Sequence, residues 1–291
     1  MTSQPRNIKK IIEPEPVTEG AGVLLKRSIA TRTLDYLDPF LLLDHFASTD
    51  PRDYEAGFPL HPHRGIETVT YVLRGAVQHR DTLGNSGSIG AGDLQWMTAG
   101  RGIMHEEMPQ VRPEGIAGFQ LWVNLPAKLK MTKPRYQDIR ADSIPELKSA
   151  DGTRIRVISG TIAGGVSGPV TGIAANPTYL DVFVPPRTSF THRVERGHTA
   201  FAYVFEGEAR FLGDAQDAQD DGPKVSEPRL VIFGDGDHIK VVTGESSVRF
   251  LLVSGKPLHE PVARYGPFVM NTREEIEQTL LELRQGTFVT T

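Results

Sequence analysis

Short apolar runs rich in β-branched and aromatic residues recur along the chain, each broken by glycine, proline, asparagine or aspartate. A strand needs no more than such a run, because alternate side chains leave opposite faces of a pleated ribbon. Residues 66–73 (IETVTYVL) stop at Arg74-Gly75, and residues 77–81 follow. Gly84-Asn85 and Gly87 mark a turn, residues 90–93 another, and residues 94–97 a short apolar piece. Residues 119–125 (FQLWVNL) give the next strand, and shorter apolar groups stand at 23–25 and 40–43. A second β-rich region spans 153–255, with strands expected at 154–158, 179–184, 201–205, 230–233, 239–242 and 248–253. The 29 glycines and 21 prolines suit a chain of many turns. The pattern predicts an all-β sandwich or barrel. The acidic stretch 213–224 (GDAQDAQDDGPK) reads as a solvated hairpin loop, since it lacks the spacing and final glutamate of an EF-hand.

One helix is expected, at the C-terminus. Thr272-Arg273-Glu274-Glu275 has the form of a capping box. Ile276, Leu280 and Leu283 share one face, and Gly286 supplies a stop.

Two segments resemble each other. ETVTYVLRG at 67–75 aligns with TAFAYVFEG at 199–207, an offset of 132, and Gly92-Asp93 parallels Gly236-Asp237 at 144. Two copies of one β-fold account for a 291-residue chain with two β-rich regions. The expected division is 1–145 and 146–291, with the helix in the second part.

Composition excludes several functions. No cysteine is present, which removes disulfides, thiolate metal sites, iron–sulfur clusters and thiol nucleophiles. A net charge of -4 with no clustered basic face argues against direct nucleic-acid binding. No apolar run approaches the roughly 18 residues of a membrane span, and residues 1–16 have no signal-like apolar core. A cytoplasmic location is the expectation.

The chemistry lies in two pairs. His61-Pro62-His63 places two imidazoles at i and i+2, on one side of an extended segment. His105 and Glu107 repeat that spacing after the turn Gly100-Arg101-Gly102. Three imidazoles and a carboxylate suit a divalent transition metal. Spacing alone leaves a second reading open, in which these are surface or core histidines satisfied by hydrogen bonds. Neither His79, His192 nor His198 has a spaced partner, and His45, His238 and His259 read as structural or exposed.

HPHRGIETVTYVLRG at 61–75, GDLQWMTAGRGIMHEEMP at 92–109, FQLWVNL at 119–125 and EPVARYGPFVMNT at 260–272 resemble the pirin family. The blocks lie in both halves. The resemblance implies a bicupin: two antiparallel cupin β-barrels with a short C-terminal helix, the N-terminal barrel holding one metal. By position its ligands are His61, His63, His105 and Glu107, and the metal is Fe(II). Glu67 matches a ligand position of other cupins but not of pirins. Glu106 is expected to point away. At the repeat offsets, His61 and His63 map to Arg193 and Glu195, and His105 and Glu107 to Arg249 and Leu251, so no metal is expected in the second barrel.

Two functions follow from the resemblance. One is a quercetin 2,3-dioxygenase, which opens a flavonol with dioxygen. There Glu107 serves as ligand and proton acceptor. Gln120 and Trp122 could line the cavity, although core packing is the expected role of Trp122. The other is a redox-sensing co-regulator that binds a partner protein.

Overall fold

The computed structural model describes residues 4–213 and 222–289, so residues 214–221 of the expected acidic loop lie outside the described residues. Among the described residues the secondary structure is mainly antiparallel β-sheet, with one α-helix, Arg273–Gln285. Among the described residues no helix is long and apolar enough to cross a membrane.

Two compact units form, and each takes the far end of the chain. One comprises Glu15–Ala141 with the chain from Leu258 onward; the other comprises the chain up to Pro14 with Asp142–Pro257. The expected division at 145/146 is corrected at both ends. In the first, histidine-bearing unit, strands Arg135–Ile139, Leu94–Thr98, Ile66–Arg74, Ile116–Asn124, Phe40–Ser48, Val23–Ile29 and Glu15–Glu19 form a sheet in that order. A second sheet runs Phe58–His63, Ile103–Pro109, Ala76–Asp81, Ser86–Gly90. In the companion unit the sheet path is Ile8–Ile12, Arg229–Phe233, Thr199–Leu212, Val248–Gly255, Thr178–Val184, Arg154–Ser159, Glu146–Lys148. Ser189–Arg193, His238–Val242 and Lys224–Ser226 join it off that path.

Two buried cations keep the C-terminal segment with the histidine-bearing unit. The Arg64 guanidinium donates to the Arg101 carbonyl at 2.5 Å, the Thr279 hydroxyl at 3.0 Å and the Phe288 carbonyl at 3.3 Å. It pairs with Glu282 at 2.6 Å and lies over the Phe288 ring. The Lys130 ammonium, 1 % exposed, donates to the Gly65 carbonyl, Asn124 Oδ1 and the Val269 carbonyl at 2.7 to 3.0 Å. A buried cation is stable only when its donors are met, so each fixes the backbone it bonds. The helix begins with the expected capping box between Thr272 and Glu275 and ends at Gly286, with φ 72°.

The sequence repeat is structural. Tyr71 sits opposite Phe119, and Tyr203 opposite Leu251, at the same offset of 132. Gly75 (φ 79°) follows its strand and Gly207 (φ 72°) sits at the matching place inside Thr199–Leu212, each packed against a carbonyl, of Gly115 and of Ser247. Gly87 plays a different part from the expected turn. It lies inside the Ser86–Gly90 strand, where a Cβ would stand 2.6 Å from His79 Nε2.

Gly75→Ala and Gly207→Ala should each destabilise the protein by about 2 kcal/mol, since each needs a left-handed backbone and displaces a carbonyl. Chemical denaturation should show both losses. A neutral result at Gly207 alone would mean that the two turns are not equivalent.

Candidate metal centre

The ladder between Phe58–His63 and Ile103–Pro109 places the imidazoles. Ile103 pairs with His63 and His105 with His61, and then the register shifts, so that Glu107 faces Phe58. This β-bulge adds a residue on the Phe58–His63 strand. Ring centroids are 4.5 Å apart for His61 and His105, 4.9 Å for His61 and His63, and 5.1 Å for His63 and His105. One nitrogen from each ring falls within 4.8 Å of the others. His61 Nδ1 lies 2.9 Å from the Pro59 carbonyl, which it can meet only as a donor. Its Nε2 then carries the free lone pair.

His63 is 2 % exposed and His105 0 %. Burial, then the neighbouring imidazoles, pushes both well below the usual histidine range, so both are neutral at pH 7. Neither nitrogen of His105 meets a hydrogen-bond partner in the protein. An unmet buried polar atom costs about 1–3 kcal/mol. Neutral, buried, converging imidazole nitrogens are the donor set a divalent transition metal accepts, and the residues present fit such an ion.

Three of the four expected ligands are thus gathered. The fourth, Glu107, stands outside that tight group but lines the same cavity, 8 % exposed. Its Oε1 accepts from the Thr70 hydroxyl at 2.9 Å, and that hydroxyl lies 2.7 Å from the Gln120 side-chain amide. One hydroxyl proton serves one acceptor. Gln120 turned with its NH2 toward Thr70 gives a chain from Gln120 through Thr70 to Glu107. Glu106 points away, as expected, and pairs with Arg80. Glu67 also turns elsewhere, accepting from the Thr98 hydroxyl at 2.7 Å. His79 lies buried opposite Glu107 in the ladder, with Nε2 2.8 Å from Gln95 Nε2.

The centre opens on a cavity of about 460 Å3. Its walls include Val23, Leu25, Phe46, Phe58, Val77 and Ile116, with Arg27, Asp44, Gln120, Trp122 and Arg264 among the polar and aromatic groups. Trp122 lines this cavity rather than a closed core and meets the His63 ring edge-on at 5.1 Å. Arg27 forks onto Asp44 at 2.8 and 2.7 Å and reaches Glu19 at 2.6 Å. Sequence reasoning missed Thr70, Arg27, Asp44 and Arg264. Alternation within strands flags that they share faces, but which faces meet is set by long-range register.

The companion unit shows what this costs to build. Across one sheet the paired residues run Arg27, Asp44, Gln120, Thr70, Gln95 and Asp138. The matching row of the companion runs Val157, Leu180, Leu252, Ala202, Val231 and Ile11. Buried Phe190, Phe211, Val241 and Phe250 fill its core. The expected correspondence of ligands is corrected here. Arg249 and Leu251 lie on Val248–Gly255, the counterpart of Ile116–Asn124. The counterpart of Ile103–Pro109 is His238–Val242, in which Ile239 pairs with His192 and Val241 with Phe190. No register shift interrupts that ladder. The four ligand positions therefore correspond to His192, Val194, Ile239 and Val241, one residue away from the expected Arg193 and Glu195. The missing bulge is the reason, and a one-residue slip turns a side chain to the opposite face.

The Pirin family profile matches residues 22–123, and that of the Pirin C-terminal cupin domain residues 179–289. A pirin-like protein of Caulobacter vibrioides is 43% identical over 97% of this chain and 99% of its own length. The chain belongs to the pirin family. Among other members, a Pseudomonas aeruginosa protein provisionally named quercetin 2,3-dioxygenase is 42% identical over 97% of both chains. The solved quercetin 2,3-dioxygenase of Acinetobacter baumannii is 33% identical, covers 98% of this pirin-family chain and 99% of its own, and superposes with a TM-score of 0.85. The fold is the two-domain cupin fold of that structure.

Burial lifts the Glu67 carboxyl to about 7 against the hydrogen bond from Thr98. A carboxyl held above its unfolded value near 4.3 weakens the fold as pH climbs from that value to its folded pKa. Glu67→Gln should therefore gain about 3 kcal/mol relative to the parent between pH 4.5 and pH 8. Urea midpoints at the two pH values check this. A pH-independent difference would show that Glu67 ionises normally.

Proposed function

We propose that this chain is a metal-dependent dioxygenase that opens a flavonol such as quercetin with O2 at a single iron centre. The observation that carries the reading is the group His61, His63 and His105, in which the His105 nitrogens have no protein partner and His61 and His63 line a largely apolar cavity. A cavity of about 460 Å3 lies in the size range of small-molecule sites. The name of the Acinetobacter relative supports the substrate class.

His61, His63 and His105 would hold Fe(II), with Glu107 as a further ligand. Bound there, the ion would supply Lewis acidity toward the flavonol oxygens and redox chemistry with dioxygen. The rest falls to the protein. Glu107 takes the proton of the flavonol 3-hydroxyl onto a carboxylate oxygen, and the Thr70 hydroxyl orients that carboxylate. Val23, Leu25, Phe46, Phe58 and Ile116 exclude water from the bound rings. Trp122 offers an aromatic edge beside His63.

Protein loaded with iron under nitrogen should hold one iron per chain and consume oxygen on addition of quercetin. His105→Ala should lose the iron. Glu107→Gln should slow uptake about a hundredfold or more. Full iron occupancy with no oxygen uptake on quercetin would overturn the flavonol reading.

A further inference from the structure

Arg264 is a cation on the cavity wall that the reaction above does not use. Its guanidinium makes one hydrogen bond, to the Leu41 carbonyl at 3.2 Å, although the group carries five N–H donors. It lies over the Trp122 ring at 5.4 Å from the centroid. Trp122 in turn meets the His63 ring at 5.1 Å. One indole thus separates the guanidinium from the imidazole cluster, and both ends face the same cavity.

The surrounding acids do not meet its donors. Both oxygens of Asp44 accept from Arg27, and Glu19 Oε1 accepts from Arg27 as well. Asp35 attracts Arg264 through space, and Arg27 repels it. Burial outweighs these charges and lowers the Arg264 pKa from its ordinary value, the sign of a cation short of partners. In the apolar wall of a cavity, such a guanidinium favours a ligand that brings an anionic or strongly accepting group.

We propose that Arg264 is a specificity-determining residue, which selects aromatic substrates bearing a carboxylate, or an equally acidic group, about one ring away from the oxygens that meet the metal. This rests on the metal-centre reading above and names a ligand class for the same cavity separate from the flavonol, which carries no carboxylate. The ring would lie along Trp122, its oxygens toward His61, His63 and His105. Its anionic end would take the open donors of Arg264 in a forked pair.

Two probes differ in that feature alone. 3,4-Dihydroxybenzoate carries a catechol and a carboxylate across one ring; 4-methylcatechol replaces the carboxylate by a methyl group. Calorimetric titration of the Fe(II)-loaded protein under nitrogen measures both without turnover. The parent should bind 3,4-dihydroxybenzoate about tenfold or more tighter. Arg264→Met retains an aliphatic stem against Trp122 and should bring the ratio near one, with 4-methylcatechol affinity within about twofold of the parent. Arg264→Lys keeps the charge without the fork and should fall between. Equal affinities in the parent, a ratio that survives Arg264→Met, or no binding of either probe would overturn the proposal. Quercetin oxygen uptake is measured separately, so failure of the flavonol reading leaves this test intact.

Discussion

Where Glu107 falls relative to the imidazoles depends on one extra residue in one strand. Without the bulge in Phe58–His63, the ladder would continue as it does in the companion unit, where His192 pairs with Ile239 and Phe190 with Val241. The His61–His105 pair stands before the bulge and has its counterpart in His192–Ile239; beyond the bulge, Glu107 falls opposite Phe58. Bulges concentrate where a strand must re-aim a side chain. Arg64, next to His63, ties the strand to the carbonyl of Arg101, on the approach to His105.

The two units offer an internal comparison of what a binding cavity requires. They share strand order around Tyr71 and Tyr203, and their glycine turns pack alike. They differ in the row that faces inward. Six polar residues in one correspond to six apolar residues in the other, of which Val157, Leu180, Leu252, Ala202 and Val231 belong to a filled core while Ile11, on the edge strand, is exposed. The polar row survives burial because its members bond one another: Arg27 with Asp44, Thr70 with Gln120, Gln95 with Asp138. Burial of unmet polar groups is costly, so the row is kept as a bonded set or replaced as a whole.

Much of this was legible in the chain. Run length and turn residues gave the strands, and the capping box gave the helix, because both depend on local chemistry. The imidazole pairs and the resemblance of residues 61–75 and 92–109 led to the cluster. Three features were not legible. The Thr199–Leu212 strand is far longer than its apolar run because its continuation pairs with Lys224–Ser226 and His238–Val242. The offset of 144 joined two turns that are not equivalent: Gly92-Asp93 stands between Ser86–Gly90 and Leu94–Thr98, Gly236-Asp237 between Arg229–Phe233 and His238–Val242. Lys130 and Arg64 look like surface cations until the carbonyls around them are placed. Each miss concerns partners distant in sequence.

The exchange of chain ends also sets an order of events during synthesis. The companion unit has its Ile8–Ile12 strand in hand long before Arg229–Phe233 emerges to pair with it. The histidine-bearing unit is in the opposite position. Its strands are made first, yet Arg64 waits for Thr279, Glu282 and Phe288, and Lys130 for Val269. Until those late residues leave the ribosome, Arg64 has only the Arg101 carbonyl and Lys130 only the Gly65 carbonyl and Asn124 Oδ1, and the nascent unit must hold an unfinished interior in water.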